Sequence, residues 1–514
     1  MTTKSVTMRD VDRRQSDHSV ENADQDNANT SLERLGYVQL WAITALNLAY
    51  GFMLADMGIL VAPLEAERLF PDWASYGLGA MAVCTGLAQL VGPAAGYFSD
   101  HYQSRHGRRG PCLVQFTGVA CAFTLFLLVA SDLQLPVLYV LAFFAQQLAW
   151  NAIFSVQAGL VPDIVPADQR GLAGGIVAAN ILVGALAALL GVRCFGASLA
   201  LNYLLIVILG IVCCVIVCVA ATEQSSEHNF WLCGNNEVAF TPRNFYWLDV
   251  QRNPEFAKLM LSKMMYSASV MVKGFLLFFV QDTFLLRSLD KEQVIAGDAA
   301  IAAEATAALS AMFGILWMGT LANRDTTVDE ETQPLNTPMV KQPEALPFAR
   351  FAAVFGACWM GLLWFGPTLV AWRVLINVQT TTGVLKHEHV AEAWAPWVVI
   401  GTGAWGIGQG IYLLGDQTLG FALIPDQQES ARYLGLTSVC CCLGAVLGGS
   451  GAAALLHAFG SYDLDEENIA DAPRYYFRGY AAIFAMATLL SWICAWTLLN
   501  IHNRPKSRAK VQDY

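Results

Sequence analysis

Long apolar runs separated by short polar stretches recur along nearly the whole chain, and the runs lack the alternation that marks half-buried strands. Twelve such segments are read at 37–63, 74–98, 111–131, 136–161, 171–193, 199–221, 256–281, 297–321, 348–371, 396–424, 433–458 and 477–501. A helix needs roughly 20 apolar residues to cross a bilayer. Backbone groups in hydrocarbon must be satisfied within the structure, and these runs are too long and continuous for barrel strands. The pattern therefore predicts an all-α membrane protein with twelve transmembrane helices. A longer polar stretch, 222–255, parts the segments six and six. The expected organisation is a polar cytoplasmic tail at 1–36, a six-helix bundle at 37–221, a central cytoplasmic loop at 222–255, a second bundle at 256–501 and a basic cytoplasmic tail at 502–514.

Composition sharpens the picture. Of 514 residues, 55% are hydrophobic and 14% charged, and the mean hydropathy is +0.45, which excludes an ordinary soluble globular protein. The formal charge of -11 comes largely from acidic clusters at 10–26 and 463–471, so nucleic acid is not an expected partner. The 13 cysteines sit mostly inside apolar runs, as in Cys440, Cys441 and Cys442, where a thiol behaves as a small hydrophobe. Neither a disulfide framework nor a zinc spacing is visible. The first 36 residues lack the apolar core of a cleaved signal peptide. With both tails in the cytoplasm, about 20 of the 30 basic residues fall on that side, as the positive-inside rule requires. An even number of crossings follows.

The two halves echo one another. Leu160-Val161-Pro162-Asp163 leads to Arg170-Gly171-Leu172 after the fourth segment, and Leu423-Ile424-Pro425-Asp426 leads to Arg432-Tyr433-Leu434-Gly435 after the tenth. A weaker echo joins Gly96-Tyr97-Phe98-Ser99-Asp100 after the second segment to Gly319-Thr320-Leu321-Ala322-Asn323-Arg324 after the eighth. Parallel repeats of this kind are a transporter signature. The loop 96–111 continues through His101, Arg105, Gly107, Arg108, Arg109 and Pro111.

On this loop and the six-plus-six layout, the chain resembles the major facilitator superfamily over about residues 37–501. Within it, the loop is similar to that of glycoside/cation symporters and plant sucrose transporters, except that His101 stands where those families usually carry Arg. The resemblance implies two bundles rocking about a central site lined by the first and fourth helices of each half. It also implies a cytoplasmic latch built from Gly96, Asp100, Arg105, Gly107, Arg108, Arg109, Asp163, Arg170, Asp426 and Arg432. Arg105, Arg108 and Arg109 are cations able to pair with carboxylates such as Asp163 or Asp426. The plainer alternative is that these arginines only set topology and contact anionic lipid.

Polar stripes run inside the fourth and tenth segments. Gln147, Trp150, Asn151 and Phe154 share one helix, and Trp405, Gln409, Tyr412 and Asp416 recur at helical spacing on another. Aromatic faces between amides suit a sugar or polyol, whose rings stack and whose hydroxyls take hydrogen bonds; helix–helix hydrogen bonding is the alternative. Intramembrane charges are functional candidates by default. Asp56 lies about 28 Å along the first helix and Lys273 about 25 Å along the seventh, so both occupy the outer third, with Glu304 about 10 Å from the outer end of the eighth. Lys273 has two rival partners, Asp56 across the halves or Glu304 within one. Lys263 shares a helix face with Lys273 but is expected to snorkel to the interface. About 30 Å of helix precedes Asp416, which places it near the cytoplasm. His387-Glu388-His389 is expected in a solvated external loop.

No phosphate loop, nucleophile elbow or dinucleotide fingerprint is present, so an enzyme is not expected, nor is any cofactor or metal. The expectation is a monomeric secondary active transporter in the plasma membrane, or an organelle membrane. It would move a sugar or glycoside-like solute with protons, using Asp56, Glu304 or Asp416 as the protonatable group and Lys273 in the gate or solute site. A uniporter or exporter, or a non-transporting receptor that keeps the fold, is the alternative.

Overall fold

The computed structural model describes residues 34–70, 74–102, 104, 107–195, 198–221, 241–275, 279, 289–328, 345–380, 387–460 and 477–502. Among them there are helices and no strands. The first bundle comprises α1 (Tyr37–Ile43), α2 (Leu46–Ala55), a π-helical turn (Asp56–Val61), α3 (Ala62–Leu69), α4 (Ala74–Ala88), α5 (Val91–His101), α6 (Gly110–Asp132), α7 (Pro136–Ile164), α8 (Arg170–Phe195) and α9 (Leu199–Ala220). A short helix α10 (Pro242–Tyr246) precedes α11 (Pro254–Val270), which tightens into a 3-10 turn (Met271–Phe275). The second bundle continues through α12 (Leu289–Val328), α13 (Ala345–Thr380), α14 (His387–Ala422), α15 (Ser430–Gly460) and α16 (Phe477–Leu499).

Ten described helices are long and apolar enough to span a bilayer, and α1 with α2 forms an eleventh, bent by 52°. The twelfth expected segment, 256–281, is α11 with its 3-10 turn; its outer end runs beyond the described residues. Several helices outrun the apolar segments: α12 begins at Leu289 and α14 at His387, because a helix need not stop where hydrocarbon does. The His387–His389 triplet thus opens a helix instead of lying in a loop. Pro162 lies inside α7, which runs on to Ile164.

The bend between α1 and α2 frees carbonyls that lipid cannot satisfy. Neighbouring amides supply the donors. Asn180 of α8 donates to the Thr44 carbonyl at 3.2 Å and to its hydroxyl at 2.9 Å, and Gln157 of α7 donates to the Ile43 carbonyl.

Each bundle has its own apolar core. A third cluster joins the two, from Leu40, Val161 and Ile176 to Ala307, Ile315, Leu414 and Phe421. Both described ends of the chain lie on one face, here the termini side. Leu35 exchanges hydrogen bonds with Gln169 in the α7–α8 loop, while the Asn500 and Ile501 carbonyls accept from Lys258 and Arg350.

Candidate functional site

Two seams join the bundles on the termini side. At the first, α5 meets α15 with almost no room: a Cβ on Gly96 would strike the Ala431 carbonyl, and one on Gly435 would strike Gly92. Such approach is open only to glycine. The backbone contact lets Asp100 cap α15, accepting from the Arg432 N–H at 2.9 Å and the Ala431 N–H at 3.4 Å. A carboxylate at a helix N-terminus is favoured by the orphan donors and the dipole there.

Arg109 sits behind this cap, fully buried. Its guanidinium meets Asp100 at 2.6 Å and Asp163 at 2.9 Å, and donates to Ser99 at 2.6 Å and Ser430 at 3.2 Å. Burial works against its charge, but Asp163 and Asp100 more than offset that, so its pKa is pushed above the ordinary value. Arg108 grips Asp163 at 2.7 and 3.2 Å and reaches the Gln428 carbonyl across the seam at 3.3 Å. Gly107 turns the loop with φ 86°.

The other expected latch members divide. Arg432 points to the central loop, donating to the Phe245 carbonyl at 3.3 Å and the Trp247 carbonyl at 2.5 Å while pairing with Glu429. The Tyr246 hydroxyl in the same segment donates to the Leu90 carbonyl at 2.7 Å. Arg170 caps its own half, donating to the Pro162 and Val165 carbonyls. The Asp426 carboxylate accepts the Gln428 N–H within its own turn, whereas Arg108 and Arg109, the loop arginines among the described residues, both go to Asp163. His101 stays on α5 against the Tyr97 carbonyl and ring. Arg105 lies outside the described residues.

The second seam is apolar. Gly174 of α8 lies against Thr418 of α14, whose hydroxyl donates to the Gly171 carbonyl at 3.1 Å. Val177, Ala311 and Ile315 pack in the joint cluster around it.

Deeper in, the first bundle offers amides and aromatics. Tyr50 of α2 stacks on Phe154 at 4.7 Å and donates to Asn151 at 3.2 Å. Asn151 donates to the Gln147 carbonyl, and Gln147 to Gln146 and Met53. Trp150 is a correction: it is fully buried in the core of its own bundle, with its ring against Gly210 of α9, because its side chain leaves α7 about 100° around the axis from that of Asn151.

The second bundle carries charge. Lys273 pairs with Glu304 at 2.9 Å and lies 5.1 Å from the Trp405 ring centre. Of its two rival partners the structure selects Glu304. Asp56, at the start of the π-turn, is 1% exposed, and neither carboxylate oxygen has a hydrogen-bond partner among the described residues. Lys263 does not snorkel: it meets Asp416 at 2.7 Å with both side chains largely buried, so Asp416 is enclosed and does not face solvent. Tyr412 stacks on Tyr266 at 4.0 Å, with Gln409 one turn before Tyr412 on α14.

One polar cluster fell outside the sequence reading. Glu65 of α3 is fully buried and accepts from Ser131 at 2.6 Å and Tyr203 at 3.3 Å, and Tyr203 meets Tyr139 at 2.8 Å. It lies just past the expected end of the first span at residue 63. The signal was present: Glu65 and Arg68 follow Asp56 on a stretch that stays helical to Leu69.

Residues 37–385 match the Major Facilitator Superfamily. The chain belongs to that family. No curated protein matches it in sequence. Among solved structures, a bacterial homologue of the iron transporter ferroportin in an outward-facing state aligns with a TM-score of 0.60 at 12% identity, covering 91% of this chain and all of that one. The human organic anion transporter MFSD10 (TETRAN) aligns with a TM-score of 0.56 at 12% identity, covering 90% of this chain and 98% of that one. At such identity these neighbours speak for the fold alone. Family and architecture together make this superfamily member a multi-pass integral membrane protein of the transporter class, acting on a small-molecule solute in a lipid bilayer.

Proposed function

We propose that the chain is a proton-coupled symporter of a sugar or glycoside-like solute, working by alternating access with both termini in the cytoplasm. The two seams close the termini side, which in this orientation makes the structure a cytoplasm-closed state, and the Asp100–Arg109–Asp163 cluster is the latch of that state. Asp56 is the coupling group, and the observation that carries this is its burial without a partner for either oxygen among the described residues. An ionised carboxylate there has nothing to compensate it, so a proton is its natural partner. Glu304 and Asp416 each already face a lysine. Tyr50, Phe154, Asn151 and Gln147 present the ring faces and amides that a polyol needs.

Uptake by proteoliposomes under an imposed pH gradient tests the reading. Inward acid-driven accumulation of a labelled pyranoside should collapse with a protonophore. Asp56→Asn should abolish accumulation while leaving downhill exchange of the same solute. Accumulation by Asp56→Asn equal to that of the unaltered protein removes Asp56 from coupling.

A further inference from the structure

α12 and α13 both pack along α14 and scarcely touch one another. Between them lies a groove of about 550 Å³, well above the roughly 150 Å³ apolar cavity that takes up a benzene. Its walls are Phe313 and Trp317 of α12 with Phe351 and Phe355 of α13, and its floor is Ile411 and Leu414 of α14. The hydroxyls in the lining, those of Thr306 and Ser310, already donate to the Gly403 carbonyl at 2.5 Å and the Ile407 carbonyl at 3.2 Å. The surface left to an occupant is almost wholly apolar. The mouth opens where both helices run through apolar spans, Gly297–Thr320 and Leu346–Trp364, and its lips, Phe313 and Phe351, are 69% and 66% exposed. The medium outside is therefore lipid hydrocarbon.

The groove occupies one leaflet. Trp317 marks its termini-side end: on the same helix a Cβ on Gly319 would strike the Tyr37 hydroxyl at the start of α1. There Trp317 stacks on Phe348 of α13 at 6.4 Å, next to the Arg350 that holds the Ile501 carbonyl, and aromatic rings favour that interfacial depth. From Trp317 to Thr306 is about 16 Å of helix, close to half of a hydrocarbon core roughly 30 Å thick. Leu414 separates the groove from the second seam, because a Cβ on Gly175 of α8 would strike Leu414 from the other side.

We propose that this groove binds one acyl chain of a phospholipid from the termini-side leaflet, and that the bound chain holds the second seam shut by backing Leu414 against α8. An empty apolar groove forfeits dispersion contacts along its lining. A flexible chain follows an uneven floor that a rigid ring system would bridge. Without the chain, Leu414 is free to change rotamer into the groove and give up its contact with Gly175. The inference goes beyond the transport reading and stands whatever solute is carried.

The test uses the full chain in phosphatidylcholine liposomes with a trace of phosphatidylcholine that carries a diazirine on one acyl chain. After photolysis, label should concentrate severalfold on residues 306–317 and 348–355 over Ile208, Ile211 and Val215, which are exposed on α9. Ser310→Leu and Ala352→Leu each fill the groove and should bring that excess down to the α9 level. Hydrogen exchange reads the seam. When detergent strips the phospholipid, amides at 171–178 and 414–421 should exchange severalfold faster relative to those of α9, and phosphatidylcholine added back should slow them again. In the filled variants they should stay slow without lipid. Should both variants fail to fold, as read by thermal unfolding, the labelling ratio of the unaltered protein decides alone. Labelling no denser in the groove than on α9, or an excess that survives in folded filled variants, makes the lipid there ordinary bilayer and overturns the site. A diazirine sterol that displaces the acyl label overturns the choice of an acyl chain. Seam amides that stay slow in the stripped unaltered protein overturn the hold on the seam.

Discussion

The two seams that close the termini side do the same mechanical work with opposite chemistry. Between α5 and α15, glycines bring backbones together and Asp100, Arg109 and Asp163 fill the space behind with charge. Between α8 and α14, a glycine again permits close approach, but the filling is Val177, Leu414 and Ile315, with a single hydroxyl bond from Thr418. The two seams thus share close backbone approach and differ in charge. A polar seam is directional and fails when one member is lost; an apolar seam is graded and loses a little with each contact.

That contrast can be broken at its strongest point first. Arg109→Ala leaves Asp100 buried without its cation, Asp163 keeping Arg108, and should cost about 3–5 kcal/mol, seen as a large fall in the thermal unfolding midpoint of the detergent-solubilised protein. An unchanged midpoint would make the charged seam no more demanding than the apolar one. Thr418→Val keeps the shape of the second seam and removes its one cross-bundle hydroxyl bond, an expected loss of about 1 kcal/mol in the same measurement. A loss as large as that of Arg109→Ala would erase the distinction. The smallest effect is expected for Arg108→Ala, whose side chain is 33% exposed. Screening by water should hold it below about 1 kcal/mol, resolved best by denaturant titration at low and high salt.

Much of this was legible in the chain. Asp100, Arg109 and Asp163 were readable because they fall in short polar loops between long apolar runs, where few geometries are open. Lys263 and Asp416 were misplaced because linear rise along a helix gives depth but not what covers it: Asp416 is enclosed by the seam that closes over it, a tertiary fact. Trp150 was misassigned for a related reason, since residues adjacent on a helix point about 100° apart and only packing tells which direction is inward. Asp426 looked equivalent to Asp163 by repeat, yet it turns to its own Gln428 N–H. Among the described residues, both loop arginines go to Asp163.

The loop between the halves has a consequence of its own. Arg432 gives its main-chain N–H to Asp100 and its side chain to the carbonyls of Phe245 and Trp247, while Tyr246 fastens the same stretch to Leu90 on the opposite bundle. One residue thus belongs to both fastenings, and sliding α15 away from α5 strains them in concert. The connector behaves less like slack thread than like a buckle stitched to both straps, and its undoing is cooperative.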